Sequence, residues 1–369
     1  MKVTVLSHNL SSNAVMRAHR LALAARQFAD VVLLGPMEPS GPWPALPKEP
    51  WIHSVGEKRF PRFFLSFVEL VDTAEGDVLI AVKPHLASFG AALVAAERRD
   101  LPVILDLDDF DAAFTPCAFW AEKPAVADLR RPASAVYLSL LTKAAPAAAA
   151  ITVASTALQQ RFGGTLVPHG CPTELFDPAA NDRESARREF GFDGPTVLFA
   201  GTPREHKGLK PLAKAVGQIP GARLAVTCRP KDLTDPHWGG YPLLRVPLVP
   251  YSTMPRLLVA ADVVAIPQLD SEPARYQMPI KVYDCMAMAK PIVASAVSDL
   301  PVVLDGCGKL VPPGQVAQLA SAIRELLTNP AEARALGERA RVRCLEKYSM
   351  AKVAETLRGV IEKVRGAAA

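Results

Sequence analysis

The chain has 369 residues, of which 50% are hydrophobic and 21% are charged, and it carries a formal net charge of +5. This length predicts two domains rather than one, and the composition is that of a globular protein with no apolar run long enough to cross a bilayer. The small positive charge gives no reason to expect nucleic acid as a partner, although it permits an anionic ligand or a membrane surface.

The cysteines and the N-terminus indicate a cytoplasmic protein. No two of the six cysteines have the spacing of a metal site or a redox pair, so we expect reduced thiols. The first residues, "MKVTVLSHNL", fit a first β-strand better than a secretory signal. A position at the inner face of the membrane is the alternative to a fully cytoplasmic location.

Short β-branched runs alternate along the chain with segments of helical period, which is typical of repeated βα units around parallel sheets. A first series is "VTVLSH", "DVVLLG", "WIHSV", "DVLIAVK", "PVILDLD", "AAITVAS" and "GTLVPHG". A second series is "PTVLFAG", "RLAVTC", "LLRVPLV", "DVVAIPQ", "PIVAS" and "KLVPP". The pattern predicts an α/β fold of two doubly wound domains, with ligands in a shared cleft at the carboxyl ends of the strands.

The predicted boundary lies between the two series, in "PTELFDPAANDRESARREFGFDGP". Prolines, an asparagine and the acidic start of a charged helix make this stretch a plausible junction. We therefore predict an N-terminal domain over residues 1–178 and a C-terminal domain over 179–349. The last helix, about 350–369, is predicted to pack back on the first domain.

The stretch "LFAGTPREHKGLKPLAKAV" has the features of an anion site. A strand leads to Gly201, then to a loop with Arg204 and Lys207, and Gly208 opens the next helix. Glycine permits close backbone approach, a helix start offers unpaired N–H groups, and the two cations add charge-assisted donors, so the loop suits a phosphate. The alternative is a solvated basic turn.

The stretch "PIKVYDCMAMAKPIVAS" predicts a short helix and a buried strand, but with two unexpected charges. Lys281 lies near the positive end of the helix, where a cation is unfavourable unless an anion binds there. Asp284 falls among apolar residues and needs a partner if it is buried. A ligand explains both charges, and a local Lys281–Asp284 ion pair is the alternative.

From "LVPHGCPTELFDP" to "EKYSMAKVAETL" the chain resembles a family 4 glycosyltransferase of the GT-B fold, which has two Rossmann-like domains. "FAGTPREHKGL" resembles that family's diphosphate loop, "KVYDCMAMAKPIVAS" its "LEAMACGTPVIAS" helix and strand, and "GKLVPPGQVAQLASAIRELLTNP" the stretch that follows. The resemblance assigns donor binding to the C-terminal domain and acceptor binding to the N-terminal domain.

The resemblance implies roles for individual residues. Arg204 and Lys207 would bind the donor diphosphate beside Gly201, and Asp284 the ribose hydroxyls. The family usually has two acids here, and Asp284 corresponds to the second. The first is a Glu eight positions earlier, which contacts the sugar, but in this chain that position is Tyr276. Either Glu272 replaces it, or the loop "SEPARYQMPIK" binds the sugar through backbone amides and Lys281.

The stretch "LPVILDLDDFD" ends a predicted strand with four carboxylates, and these must be solvated, paired with cations or bound to a ligand. Asp108 aligns with a histidine that faces the cleft in the resembling family, so it is a candidate for orienting the acceptor. A divalent metal and a helix cap are the alternatives. We expect no cofactor, since the nucleotide-sugar is a substrate. We also expect no metal, because Arg204, Lys207 and Lys281 would stabilise the charge of the departing phosphate.

Three further features are acceptor-side or membrane candidates. "AVKPHLAS" ends another strand with Lys83 and His85, and in "SHNLSSNAVMR" a phosphate contact by Asn13 and a helix cap are equally good interpretations. "EKRFPRFFLSFVEL" mixes basic and aromatic residues, as a membrane contact does, although a core-facing helix is the stronger interpretation.

The resemblance implies a retaining, metal-independent hexosyltransferase that moves a sugar from a UDP- or GDP-sugar to an acceptor hydroxyl. A glycan, a lipid-linked molecule or a small molecule would be the acceptor. The alternatives are a nucleotide-sugar epimerase or a sugar phosphorylase of the same fold, or a non-catalytic nucleotide-sugar binding protein. A dinucleotide-binding protein is disfavoured because no "GxGxxG" follows the first strand.

Overall fold

The computed structural model describes residues 1–57, 60–111, 130–229, 233 and 240–368. The chain divides into two compact units. The first consists of Met1–His169 and Met350–Ala369, and the second of Gly170–Ser349.

The described part of the first unit contains one seven-stranded sheet, in the order β3-β2-β1-β4-β5-β6-β7. All neighbouring strands pair in parallel. The strands are β1 Lys2–Ser7, β2 Asp30–Met37, β3 Ile52–Glu57, β4 Val78–Val82, β5 Val103–Leu107, β6 Ala150–Val153 and β7 Thr165–Leu166. Each corresponds to a run in the first predicted series, so this prediction is confirmed.

The second unit has a six-stranded parallel sheet among its described residues, in the order β10-β9-β8-β11-β12-β13. The strands are β8 Thr196–Phe199, β9 Arg223–Thr227, β10 Leu243–Val246, β11 Val263–Ile266, β12 Ile292–Ser295 and β13 Lys309–Val311. The central strands β8, β11 and β12 are fully buried, which explains their unbroken apolar sequences. The second predicted series is confirmed as well.

Helices connect the strands of both sheets. In the first unit they are Val15–Ala25, Phe63–Thr73, the π-helix Leu86–Gly90, Ala91–Arg99, Ala135–Lys143, Thr156–Phe162 and Met350–Ala368. In the second unit they are Arg183–Phe190, Leu209–Val216, Met254–Ala260, Glu272–Tyr276, Ile280–Ala287, Leu300–Val303, Val316–Thr328 and Pro330–Lys347. Among the described residues, no helix has both the length and the apolar character needed to span a membrane.

Both sheets change the direction in which successive strands are added. In the first sheet this switch point lies between β1 and β4, and in the second between β8 and β11. Open parallel sheets bind ligands outside the carboxyl ends of the strands at such a point. The loops after these four strands are therefore where functional side chains are expected.

The segment 170–178, which the sequence analysis assigns to the first domain, groups with the second unit. The Cys171 amide donates to the Tyr348 carbonyl oxygen at 2.8 Å. The Arg341 guanidinium, on the helix Pro330–Lys347, donates to the Phe176 carbonyl oxygen at 3.0 Å and to Asp177 at 3.1 Å. These long-range bonds, which local sequence does not reveal, attach the segment to the second unit.

Candidate functional site

The loop after β8 carries two of the predicted donor-binding cations. Arg204 precedes the 3₁₀ turn Glu205–Lys207, and the Lys207 amide donates to the Arg204 carbonyl oxygen at 3.0 Å. Arg204 is exposed and Lys207 is half-buried. Gly201 lies just beyond the strand, and the helix Leu209–Val216 begins right after the loop. The predicted order of strand, glycine, cations and helix start is present.

Gly208 shows why glycine is required in this loop. Its φ angle is +67°, in the left-handed region, and a Cβ at this position would lie 1.8 Å from the Pro267 carbonyl oxygen. Pro267 directly follows β11. The glycine therefore lets the loops after β8 and β11 touch at the switch point of the sheet.

Other contacts tie the same two loops together. The Leu269 amide donates to the His206 carbonyl oxygen at 2.8 Å, and a ring nitrogen of His206 lies 3.3 Å from the Gln277 Oε1 atom. The short helix Glu272–Tyr276 lies against the turn Glu205–Lys207. Glu272 is exposed at the start of this helix. The structure thus brings Glu272 and Lys207 onto neighbouring elements.

The helix Ile280–Ala287 begins directly after Pro279, which occupies its N-cap position, and its residues from Val282 onward are buried. The half-buried Lys281 ammonium lies 3.5 Å from an oxygen of Asp284, whose side chain is 0% exposed. The Cys171 thiol donates to the other Asp284 oxygen at 3.5 Å. This geometry supports the alternative weighed on the sequence, in which Asp284 pairs with Lys281. A ribose contact by Asp284 stays a prediction.

Sequence reasoning missed Gln268, which follows β11 by two residues. Its side chain is 2% exposed, and neither atom of its amide has a hydrogen-bond partner among the residues that the structure describes. A buried amide without partners is costly, so it is a natural ligand contact at the switch point. A polar residue two positions after an apolar strand was the available signal.

In the first unit, Lys83 forms ion pairs with the carboxylates that follow β5. Its Nζ atom lies 3.1 Å from an oxygen of Asp108, 2.8 Å from Asp109 and 3.0 Å from Asp111. The Lys83 side chain is only 2% exposed. We call these four residues the Lys83 cluster. Of the alternatives weighed on the sequence, pairing with a cation is the one that this geometry shows.

The backbone at Lys83 is unusual, because its φ angle is +70°. A non-glycine residue in the left-handed region costs about 1–2 kcal/mol. Two hydrogen bonds hold it there: the Lys83 amide donates to the Asp106 carbonyl oxygen at 2.8 Å, and the Ser88 hydroxyl donates to the Lys83 carbonyl oxygen at 2.7 Å. The strained backbone directs the ammonium into the carboxylates.

The charges of the Lys83 cluster shift one another's protonation. Burial lowers the pKa of Lys83, but the three carboxylates outweigh burial and raise this pKa well above its usual value. Burial raises the pKa of Asp108 to about 7, although Lys83 opposes the rise. Burial also acts on Asp111, but Lys83 and His85 outweigh it and hold the pKa of Asp111 below its usual range. Asp108 can therefore exchange a proton near neutral pH.

Two histidines lie beside the Lys83 cluster. The His85 ring stacks on His8, with ring centres 4.2 Å apart, and its Nε2 atom lies 3.9 Å from Asp111. His8 follows β1 and His85 follows β4, so both stand at the switch point of the first sheet. The predicted residues Lys83, His85 and Asp108 are thus brought together.

Asn13 lies in the turn before the helix Val15–Ala25. The residue at the N-cap position is Ala14, which has no side-chain acceptor, and the Met16 amide donates to the backbone carbonyl oxygen of Asn13 at 3.2 Å. The predicted helix cap at Asn13 is therefore a backbone contact, and the phosphate contact stays a prediction.

The aromatic helix Phe63–Thr73 has two apolar faces. Phe63, Leu70 and Val71 are buried, so the core-facing interpretation is correct for one face. Phe64, Leu65 and Val68 on the other face are 52%, 74% and 51% exposed. Lys58 and Arg59 of the predicted basic stretch lie outside the described residues. A membrane contact through this face stays a prediction.

Comparison with known proteins finds a family match within the second unit. Residues 194–329 match the family described as glycosyl transferases group 1. This range includes the loops after β8 and β11 and the helix Ile280–Ala287, so the resemblance that the sequence motifs indicated is confirmed.

Two curated relatives match over shorter stretches. An MMP alpha-(1->4)-mannosyltransferase from Mycolicibacterium hassiacum is 38% identical over 110 residues, which are 29% of this chain and 26% of the relative. An alpha-maltose-1-phosphate synthase from Mycolicibacterium smegmatis is 31% identical over 188 residues, 49% of this chain and 43% of the relative. The chain thus spans less than half the length of these two relatives.

Solved structures resemble the whole chain. A sucrose-phosphate synthase from Thermosynechococcus elongatus has a TM-score of 0.72 at 19% identity, with 100% of both chains covered. HepE from Anabaena, in complex with UDP and glucose, has a TM-score of 0.72 at 16% identity, with 98% of this chain and 100% of HepE covered. The predicted GT-B fold is confirmed.

Proposed function

We propose that the protein is a glycosyltransferase that moves a sugar from a nucleotide-diphosphate donor to an acceptor hydroxyl. The observation that carries the proposal is the loop after β8, which holds Arg204 and Lys207 at a helix start inside the stretch that matches group 1 glycosyltransferases. A turn with one exposed cation, Arg204, and one half-buried cation, Lys207, suits a diphosphate, which is the leaving group of such a transfer.

The donor site would extend from this loop over its neighbours. Lys281 adds a third cation at the start of a buried helix, and Gln268 offers an amide without a partner among the described residues. Glu272 is the proposed contact to the sugar. It would take over the role of the family's Glu, whose position in this chain is occupied by Tyr276. A UDP-sugar is the first donor to test, because HepE was solved with UDP and with UDP-glucose.

The proposed mechanism needs no metal and no cofactor. Negative charge develops on the departing phosphate, and Arg204, Lys207 and Lys281 would stabilise it electrostatically. The transfer would retain the configuration of the anomeric carbon. On the acceptor side, Asp108 would orient the acceptor hydroxyl or share its proton, because its pKa of about 7 is suited to proton exchange. Lys83 and His85 would keep Asp108 in position.

Donor binding is tested by thermal denaturation with UDP-, GDP-, ADP- and dTDP-sugars, since a ligand of the folded state raises its stability. We expect one nucleotide series to raise the melting temperature, and we expect Arg204→Gln with Lys207→Gln to weaken binding about tenfold or more. Lys214→Gln is the matched control, because it removes an exposed charge from the helix that follows the loop. Equal affinity of the double variant and the wild type would refute the phosphate assignment.

Turnover assays then separate the rival functions. Sugar transfer that needs an acceptor supports a transferase, and proton NMR of the product reports whether the anomeric configuration is retained. Turnover of the nucleotide-sugar without an acceptor indicates an epimerase, and dependence on inorganic phosphate indicates a phosphorylase. Binding without any turnover, when glycans, lipid-linked molecules and small molecules are offered as acceptors, would favour a binding protein. Full transfer by Asp108→Asn would remove the role of Asp108.

A further inference from the structure

The second unit has a half-open cavity at the edge of its sheet opposite to the donor loops. Its volume is about 460 Å³, and its walls include the residues just before β8, β11 and β12, which begin at Thr196, Val263 and Ile292. The proposed donor contacts follow the carboxyl ends of β8 and β11, whereas this cavity lies at their amino ends. It is therefore a separate site within the same unit.

Positive charge dominates the walls of this cavity. Four cationic side chains line it, those of Arg183, Arg187, Lys290 and Arg334, against the single carboxylate of Asp262. Asp262 pairs with Arg183 and lies 3.1 Å from the Arg187 guanidinium, so this carboxylate is already shared by two cations. Arg334 is exposed and forms no hydrogen bond or ion pair with the residues that the structure describes. The four cationic side chains of the cavity thus carry more positive charge than the Asp262 carboxylate neutralises.

Lys290 is the buried member of this cluster, at 8% exposure. Its ammonium donates to the carbonyl oxygens of Val259 and Ala261, at 3.3 and 2.5 Å, and it has no carboxylate partner in the described part of the chain. An ammonium has three N–H donors, so one remains. Burial, followed by the charge of Arg183, lowers the pKa of Lys290 to about 8. A bound anion would satisfy the remaining donor and offset both effects.

The shape of the cavity limits the size and the type of its ligand. Small-molecule pockets generally measure about 300–1,000 Å³, so about 460 Å³ accepts more than a single inorganic ion. Arginine guanidinium groups match phosphate oxygens in a two-pronged contact. The remaining walls include Leu326, Leu327 and Pro195, which offer apolar contact to an organic group.

We propose that this cavity binds a small phosphorylated metabolite, with the phosphate held by Lys290, Arg334 and Arg183. Arg187 is already bonded to Asp262 and to the carbonyl oxygens of Ala260 and Gly194, so it forms the fixed wall of the site. This site does not depend on the proposed transferase activity, because it shares no residue with the donor loops.

The test is a titration with inorganic phosphate and with glycerol 3-phosphate at constant ionic strength, read by melting temperature and by calorimetry. The protein is the full chain with Arg204→Gln and Lys207→Gln, so that the donor loop does not contribute. We expect saturable binding, with glycerol 3-phosphate bound more tightly than phosphate. Arg334→Gln should weaken both ligands about threefold or more, as loss of a partly exposed ionic contact does.

A matched control separates the cavity from general charge. Arg188→Gln removes an exposed arginine from the same helix as Arg183 and Arg187, outside the cavity, and it should leave the affinity unchanged. Arg183→Gln is a second cavity variant, and because Arg183 and Arg334 are exposed, both variants should fold. Absence of saturable binding, or equal affinity in the Arg334→Gln and Arg188→Gln proteins, would overturn the proposal.

Discussion

The switch points of the two sheets both carry charged residues, but with opposite balances. After β4 and β5 of the first sheet, one buried lysine faces three carboxylates within 3.1 Å. After β8 of the second sheet, Arg204 and Lys207 flank a single acid, Glu205, on a turn where Arg204 and Glu205 are exposed. The first group neutralises its cation internally, whereas the second presents cations at the surface.

Charges at strand ends therefore serve two purposes, holding the fold together and binding a ligand, and the sequence alone does not distinguish them. A buried ion cluster is fixed by its own contacts, so removing one member leaves other charges buried and unpaired. An exposed cationic loop adds little to stability but suits an anionic ligand. Loss of Lys83, the cation of the first group, should therefore mainly change folding stability, and variants in the loop after β8 should mainly change ligand binding.

The largest effect is expected for Lys83→Met, which keeps most of the length of the side chain and removes its charge. One buried carboxylate and two half-buried carboxylates lose their cation, and breaking such a cluster costs about 4 kcal/mol of unfolding free energy at pH 7. Urea denaturation followed by circular dichroism measures this loss. The cost should shrink at pH 4–5, where the carboxylates can take up protons.

Lys363→Met is the matched control for this variant, since Lys363 is exposed on the helix Met350–Ala368 of the same unit. We expect a change within about 0.5 kcal/mol there. If Lys83→Met were as mild as Lys363→Met, the buried cluster would not contribute to the stability of the first unit.

The next effect is a pH dependence at Asp108. Its pKa is raised from the usual 3.8 to about 7 in the folded chain, mainly by burial. A folded state that holds a proton more tightly than the unfolded state loses stability as the pH rises from about 4 to about 7. Asp108→Asn cannot lose a proton, so its stability relative to the wild type should increase over this range, by an amount on the order of 3 kcal/mol.

Denaturation midpoints of both proteins at pH 4, 5, 6 and 7 measure this difference. Asp111 responds in the opposite direction, because its lowered pKa gives stability that is lost only as the pH falls below the usual range of an aspartate. Glu97→Gln, at an exposed position of the same unit, is a control for general charge effects. If the difference in stability between the wild type and Asp108→Asn stayed constant between pH 4 and 7, the raised pKa of Asp108 would be contradicted.

Much of the fold could be predicted from the sequence, because apolar β-branched runs and helical periods are local signals. They located every strand in the described part of both sheets, including the short β7 and β13. The cationic loop after β8 and the start of the helix Ile280–Ala287 were also predictable. Glycines, a proline and charged residues occur there in a fixed order that local chemistry explains.

Apart from the local Lys281–Asp284 pair, the partners of these charged side chains could not be predicted, since they come from distant parts of the chain. Lys83 meets Asp108 because β4 and β5 are neighbours in the sheet, and Asp284 meets Cys171 across 113 positions of sequence. The half-open cavity around Lys290 is formed by residues from separate parts of the chain, 183–195, 261–262, 289–291 and 326–334. Such pairings decide whether a charge is structural or available to a ligand, and they appear only after the chain folds.

The smallest of these effects concerns the loop after β8, where Gly208→Ala tests whether the close approach to Pro267 builds the cationic site. The variant combines a left-handed backbone with a Cβ 1.8 Å from the Pro267 carbonyl oxygen, so we expect a loss of about 2 kcal/mol. Gly191→Ala is a matched control, because its φ angle is +68° and a Cβ there meets nothing within 4 Å; it should lose about 1 kcal/mol. Only Gly208→Ala should also weaken nucleotide-sugar binding in the thermal assay, since it displaces the turn that carries Lys207. Equal behaviour of the two alanine variants in stability and in binding would show that the contact with Pro267 does not shape the loop.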